Sequence, residues 1–281
     1  MPYSPAPSHA QHPAAQHPVA QRPAPLPAIK LTAVQVLNQL SVAAANAPQP
    51  TGRYIALTEI RQGPDITYPK DFKSELNDKK MPAFLRARLQ QLVKEYGYPA
   101  RLVTTDRTSV IDSLTGDTWT YQHGSNVPSE LPVAAHGSPT RAEFAAWPTN
   151  PAALRALLLR QGEQSVAQGE QVQGETPDDL VFQEATNWLW NPLLSPALRA
   201  AMYKVLAATS GVAVKTGTTD KTGRSAIEIS RYDSVAGEES ETFESPSTGA
   251  VLEQAFSDVG TDVYAAVTGY ATLPANPYSG G

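Results

Sequence analysis

Five short runs near the end of the 281-residue sequence carry its strongest structural signal: VAVKTG (212–217), RSAIEISRYD (224–233), ETFES (241–245), AVLEQAFS (250–257) and DVYAAVTGY (262–270). Each run is short and is bounded by Gly, Asp, Ser or Pro, which is typical of β-strands that are separated by turns. The segments TDKTG (219–223) and PSTG (246–249) supply two of these turns. We therefore predict an antiparallel β-meander over this part of the chain.

Helices are predicted before the meander, because cap residues and apolar spacing recur there. The clearest start is Thr176-Pro177-Asp178-Asp179, which joins a cap, a proline at the first helical position and two acids at the positive end of the helix dipole. Helix capping explains Asp178 and Asp179 better than an acid–base pair does. Further helices are predicted at Thr32 to Asn46, Pro82 to Tyr96, Thr140 to Trp147, Asn150 to Arg160 and Ser195 to Gly211.

Two more strand signals lie in the first half of the chain. RYIALTEIR (53–61) is one, and the pair RLVTTDRTSVIDSL (101–114) and TWTYQH (118–123) reads as a hairpin. Runs of strands beside runs of helices favour the α+β class with an antiparallel sheet. We predict a single α+β domain over residues 31–273, in which helices cover one face of a half-barrel-like sheet.

The first thirty residues have a different composition from the rest. They consist largely of Pro, Ala, Gln and His, and repeated proline opposes both helix and sheet. We predict a disordered linker over residues 1–30 and a flexible tail over residues 274–281. His9, His12 and His17 are interpreted as part of the linker, because a disordered chain loses entropy when it orders around a metal.

Composition excludes several classes of function. The net charge is −5 and no cluster of Lys and Arg occurs, so we expect no nucleic-acid partner. The absence of cysteine excludes disulfides, thiolate catalysis and cysteine-based zinc sites. No run of about 18 apolar residues occurs, so no membrane span is predicted in this chain.

One string resembles a catalytic motif. Lys215-Thr216-Gly217 resembles the KTG box of penicillin-binding proteins and serine β-lactamases, but no serine in the sequence has a lysine three residues later. His123 and His136 lie in a predicted loop, without a Gly-x-Ser-x-Gly elbow that would support a triad with Ser125 or Ser138. We predict a non-enzymatic protein without a cofactor, and a cell-wall enzyme is the alternative that the KTG string suggests.

Aromatic residues give the candidate ligand-binding site. A pocket for an apolar ligand is typically lined by such side chains, although aromatics also dominate ordinary cores. The predicted ligand-binding residues are Trp119, Tyr121, Trp188 and Met202. Three further aromatic residues could also line such a pocket, namely Trp147, Trp190 and Tyr203.

Four strings of the sequence follow a pattern known from other proteins: Gly52-Arg53-Tyr54, Pro148-Thr149-Asn150-Pro151, Leu194-Ser195-Pro196-Ala197-Leu198-Arg199-Ala200-Ala201-Met202-Tyr203 and Gly211-Val212. With these strings, roughly residues 31–257 resemble an uncharacterised family of actinobacterial single-span membrane proteins. The resemblance implies an outer, extracytoplasmic domain whose membrane anchor is absent from this chain, and it supplies no functional residues. The order of elements is also similar to the half-barrels of lipoprotein carriers and of periplasmic regulators of anti-sigma factors.

These observations favour a binding or sensing domain for a lipid-like ligand or an envelope protein. A structural interaction module is a further alternative. If a ligand cavity exists, we expect it between two apolar layers. One layer is the helical stripe formed by Phe182, Leu189, Leu198, Met202 and Leu206, and the other is the sheet surface formed by Ile227, Ile229, Val251 and Leu252.

Overall fold

The computed structural model describes residues 31–65, 101–122, 138–168, 174–233, 235, 238–256, 260–275 and 277. The predicted linker, the predicted helix 82–96, His123, His136 and most of the predicted tail lie outside these residues. From Leu31 onward the chain forms one compact unit.

The described residues contribute eight strands: β1 Tyr54–Asp65, β2 Arg101–Asp112, β3 Thr118–Gln122, β4 Ala213–Thr219, β5 Ser225–Asp233, β6 Glu238–Glu244, β7 Val251–Phe256 and β8 Gly260–Tyr270. They form one antiparallel sheet in the order β3-β2-β1-β8-β7-β6-β5-β4. The last five strands are the predicted meander. Pairing of β1 with β8, as in Ala56 opposite Thr268, joins the hairpin side to the meander. The antiparallel α+β class is therefore confirmed.

Five helices lie in the described residues: α1 Ala33–Asn46, α2 Arg141–Ala145, α3 Pro151–Gln168, α4 Pro177–Leu189 and α5 Pro196–Ala207. Their starts follow the predicted caps. Thr32, Thr140 and Thr176 each form a capping box with the residue three positions later. The Ser195 hydroxyl accepts a hydrogen bond from the Leu198 amide at 3.2 Å.

Helix α3 is longer than the sequence pattern indicates. The prediction ended it at Arg160 and assigned a Gly/Gln-rich loop beyond, whereas the helix continues to Gln168. Gly162 is buried, and a Cβ atom at this position would lie 2.8 Å from the Cβ of Leu180 on α4. Close packing of the two helices therefore needs glycine here, and this contact outweighs the helix penalty of glycine, about 1 kcal/mol.

Gly162→Val should destabilise the protein by about 1–3 kcal/mol, because the added carbons must displace Leu180 from a packed interface. Thermal denaturation followed by circular dichroism measures the change. Valine has a higher helix propensity than glycine, so a loss of stability must come from packing. Gln164→Val, at an exposed position of the same helix, is the control for a valine that is not buried. Equal melting temperatures for the two variants would show that the α3–α4 contact does not limit stability.

The helices cover one face of the sheet, as predicted. Ile55 and Leu57 of β1 belong to the main core with α1, α4 and α5, whereas Ala56 between them belongs to a second, smaller cluster. This split follows from the alternation of side chains along a strand. From the predicted sheet surface, Ile227, Ile229 and Val251 lie in the main core, and Leu252 does not.

Candidate functional site

The candidate site is a buried polar cluster that α5 and β6 build inside the main core. Helix α5 places Arg199 and Tyr203 four residues apart, so both side chains lie on one face of the helix. Strand β6 ends at Glu244, whose side chain is fully buried. Three polar residues thus lie where apolar side chains otherwise dominate.

Arg199 is a buried cation with incomplete hydrogen bonding. Its guanidinium donates from Nη2 to the Asn191 carbonyl oxygen at 3.4 Å. Its Nε is buried and has no hydrogen-bond partner. Burial lowers the pKa of Arg199 from its ordinary value, but a guanidinium remains protonated in proteins. The site therefore holds a positive charge with an unused donor.

Glu244 is a buried acid that has a hydrogen-bond acceptor without a partner. Its Oε1 accepts a hydrogen bond from the Thr242 hydroxyl at 2.9 Å, and its Oε2 has no partner. Burial raises the pKa of Glu244 to about 8, against the smaller opposing effects of the Thr242 hydrogen bond and the charge of Arg199. The carboxyl group is therefore mainly protonated at neutral pH.

Tyr203 completes the cluster and fixes the adjacent turn. Its hydroxyl donates to the Gly249 carbonyl oxygen at 2.7 Å. Gly249 has a φ of 58°, and a Cβ atom there would lie 3.1 Å from the Leu40 carbonyl oxygen. Glycine at this position lets the turn between β6 and β7 approach α1 and α5 closely.

Arg199 also lines a cavity of about 180 Å³. The cavity lies where the end of α4 and the first turn of α5 meet strands β1, β7 and β8. Of the nine residues in the two layers expected to enclose a ligand, only Leu189 and Val251 line it. Trp190 stacks on Tyr264 beside it, with ring centroids 6.0 Å apart and an interplanar angle of 6°. The large apolar and aromatic side chains of its wall are Leu57, Leu189, Trp190, Val251, Tyr264 and Val267.

This arrangement can bind an anion that carries an apolar group. A guanidinium recognises carboxylates through paired N–H donors, and the apolar wall accepts a ring or a short chain. An apolar cavity of about 150 Å³ is large enough for benzene. The chemistry of the cavity thus matches a small carboxylic acid with an aromatic or compact aliphatic body.

The four ligand-binding residues predicted from the sequence do not converge on one site. Met202 is fully buried in the main core, and Trp188 packs edge-on against Phe144 with ring centroids 5.7 Å apart. Trp119 and Tyr121 belong to the smaller cluster, on the other face of the sheet. None of the four lines the Arg199 cavity.

Sequence reasoning missed Arg199 and Glu244, and it named Trp190 only in the wider set of aromatic residues. A signal for the first was present, because Arg199 interrupts an otherwise apolar stripe on α5 that includes Leu198 and Met202. Glu244 has a weaker signal in the alternation of ETFES, which places it on the same face of β6 as Thr242.

Lys215 of the KTG string lies on the edge strand β4. Its side chain is 69 % exposed, and its Nζ lies 2.9 Å from Glu228 Oε2. The neighbouring strand thus supplies an ion-pair partner for this exposed lysine.

Asp179 belongs to the capping box of α4, and Asp178 and Asp179 both anchor the helix to its neighbours. Asp179 Oδ2 accepts from the Thr176 amide at 2.8 Å, and Asp179 Oδ1 accepts from Arg231 Nη2 at 2.5 Å. Asp178 Oδ1 accepts from Arg155 Nη2 of α3 at 2.5 Å. The predicted capping role is confirmed for Asp179, while Asp178 lies in the first turn without a capping hydrogen bond; the two acids connect α4 to β5 and α3.

A second cavity, more open and about 540 Å³ in volume, lies beside α2. Arg53 and Arg141 line it. Arg53 donates from Nε and from Nη2 to Asp112 Oδ2, at 3.0 and 2.7 Å. Arg141 donates from Nη2 to the Pro50 carbonyl oxygen at 3.0 Å. Arg53 is thus occupied by an internal ion pair. Arg141 Nε also has no hydrogen-bond partner, but Arg141 is only half-buried, so this more open cavity is the weaker candidate.

Among the described residues, no three His, Cys, Asp or Glu side chains are grouped so that they could hold a metal ion. None of the helices in the described ranges combines the length and the apolar character that crossing a membrane requires. No protein-family model, no curated protein and no solved structure matches this chain. The resemblance to the actinobacterial family and to the half-barrel carriers stays a prediction.

Proposed function

We propose that this chain is a non-enzymatic binding domain that receives a small carboxylic acid in the cavity beside Arg199. The proposal rests on the buried guanidinium of Arg199. Its Nε has no hydrogen-bond partner, and the Arg199 side chain lines an apolar cavity. The ligand's carboxylate would pair with Arg199, and its apolar body would pack near Trp190 and Tyr264.

The energetics of Arg199 favour an anionic ligand. Burial of a charge without a partner is unfavourable by several kcal/mol. No ion pair in the described part of the chain includes Arg199. A bound carboxylate would compensate the charge of Arg199 and accept hydrogen bonds from its guanidinium. The buried charge of Arg199 is thus unfavourable in the empty protein and becomes favourable when a carboxylate is bound.

The size of the cavity restricts the range of lipid-like ligands that the sequence suggested. A volume of about 180 Å³ holds a single ring or a short chain. A long acyl chain would extend beyond the cavity into solvent, where it gains little from burial. The proposed class is therefore aryl or short alkyl monocarboxylates. The extracytoplasmic location and an envelope protein partner remain predictions from the sequence.

Phenylacetate is a suitable probe, and isothermal titration calorimetry measures its affinity. We expect binding by the wild type, weaker binding by Arg199→Lys, and a loss of about tenfold or more in Arg199→Gln, because hydrogen bonds to charged groups contribute about 1.5–3 kcal/mol. 2-Phenylethanol, which keeps the ring but lacks the charge, should bind weakly.

Arg160→Gln is the matched control, since Arg160 is exposed on α3, and it should retain the wild-type affinity. Circular dichroism establishes that each variant is folded. Equal affinity for phenylacetate and 2-phenylethanol, or undiminished binding by a folded Arg199→Gln variant, would contradict the proposal.

A further inference from the structure

Arg199 and Glu244 share one buried cluster, yet each keeps an atom without a partner. The atoms are Nε of Arg199 and Oε2 of Glu244. No ion pair joins these two described residues, although the charge of Glu244 raises the pKa of Arg199 and the charge of Arg199 lowers the pKa of Glu244. Glu244 pairs in the sheet with Val251, which lines the cavity together with Arg199. Each of the two unpaired groups can therefore take another partner.

We infer that Glu244 controls ligand binding by competing with the ligand's carboxylate for Arg199. The ligand is held while Glu244 is protonated and is released when Glu244 ionises. This inference rests on the proposed function, because it concerns the same cavity and the same guanidinium.

The competition follows from the count of charges. The described cluster has one guanidinium, and an ionised Glu244 together with a bound carboxylate would place two negative charges beside it. Like charges that share a buried site cannot both ionise readily, so one carboxyl group must be neutral. A protonated Glu244 leaves Arg199 to the ligand, whereas an ionised Glu244 satisfies Arg199 internally.

The surroundings of Glu244 leave Arg199 as the main charged partner. Helix α5 presents Arg199 and Tyr203, and burial raises the pKa of Tyr203 well above its ordinary value of 10.0, so Tyr203 stays neutral. The paired residues on the neighbouring strands are apolar, namely Ile227 of β5 and Val251 of β7. Thr242 supplies only a hydroxyl.

The proton balance is defined. Below a pH of about 8, the free protein already carries the proton on Glu244, so binding of the anion changes no protonation state. Above this pH, each ligand that binds must be accompanied by one proton from solvent, which forms an O–H bond at the Glu244 carboxylate. Affinity should then fall about tenfold for each pH unit.

Phenylacetate titrations between pH 6.5 and pH 9.5 test the inference, because the probe itself stays ionised over this range. The wild-type Kd should be constant up to a pH of about 7.5 and should rise about tenfold per unit above a pH of about 8. Glu244→Gln should give a flat profile. Glu239→Gln, at an exposed position on the same strand, should keep the wild-type profile.

A second measurement does not depend on any variant. Calorimetry of the wild type at pH 9 in two buffers of different ionisation enthalpy should show the uptake of about one proton per ligand. Absence of binding at pH 6.5 would contradict the proposed function itself. Binding at pH 6.5 that persists unchanged to pH 9.5, or without proton uptake at pH 9, would overturn only the role of Glu244.

Discussion

Leu198→Asp is expected to unfold the domain. Leu198 is 1 % exposed and lies in the main core, where α5 packs with the other helices and the sheet. An unpaired carboxylate at this position is destabilising by several kcal/mol, which is comparable with the whole stability of a typical domain, about 5–15 kcal/mol. Far-UV circular dichroism and a thermal melt should show the loss of cooperative folding.

The neighbouring residue provides the matched control. Ala197 is exposed in the first turn of α5, where an acidic side chain interacts favourably with the helix dipole. Ala197→Asp should therefore keep or slightly raise the melting temperature. A Leu198→Asp variant that melts at the wild-type temperature would show that α5 does not pack on the core through this face.

Glu244→Gln is expected to stabilise the protein in a way that grows with pH. The pKa of Glu244 is raised by burial from an ordinary value of 4.5 to about 8 in the folded state. Between these values the folded state binds more protons than the unfolded state, so the free energy of unfolding falls as pH rises. Stability that is fully present below a pH of about 4.5 is thus lost progressively up to about 8.

Glutamine resembles the protonated acid and cannot ionise, so it should remove this loss. Urea denaturation at pH 5, 7 and 9 should show little difference at pH 5 and a gain of a few kcal/mol at pH 9. Glu239→Gln changes the same net charge at an exposed position of β6 and should lack this pH dependence. Parallel pH profiles for wild type and Glu244→Gln would show that Glu244 is not preferentially protonated in the folded state.

Local sequence signals predicted the elements well. Each capping box begins a helix where the cap residue stands, and the meander strands follow the turn residues, because both depend on contacts between residues a few positions apart. The pairing of β1 with β8 was not predictable in this way. It joins Tyr54 to Tyr270, and periodicity within a strand does not specify a distant partner.

The candidate site was predicted less well than the fold, for a physical reason. Alternation shows that Trp119 and Tyr121 share a face of β3, but it does not show that this face lies opposite the helices. Likewise, an arginine is predicted to be exposed, because arginine side chains are rarely buried in proteins. Only the packing of α5 within the main core buries Arg199 and leaves its Nε without a partner.

The pairing of β1 with β8 also has a kinetic consequence. Strand β1, made early during synthesis, has β2 on one side, but its other edge stays open until β8 has left the ribosome. Contacts between residues so far apart form slowly, because closure of the long intervening chain opposes them. Until then, an unpaired strand edge is exposed to other nascent chains. Aggregation during expression should therefore depend on the time that the ribosome needs to reach β8, and a pause before this strand should increase it.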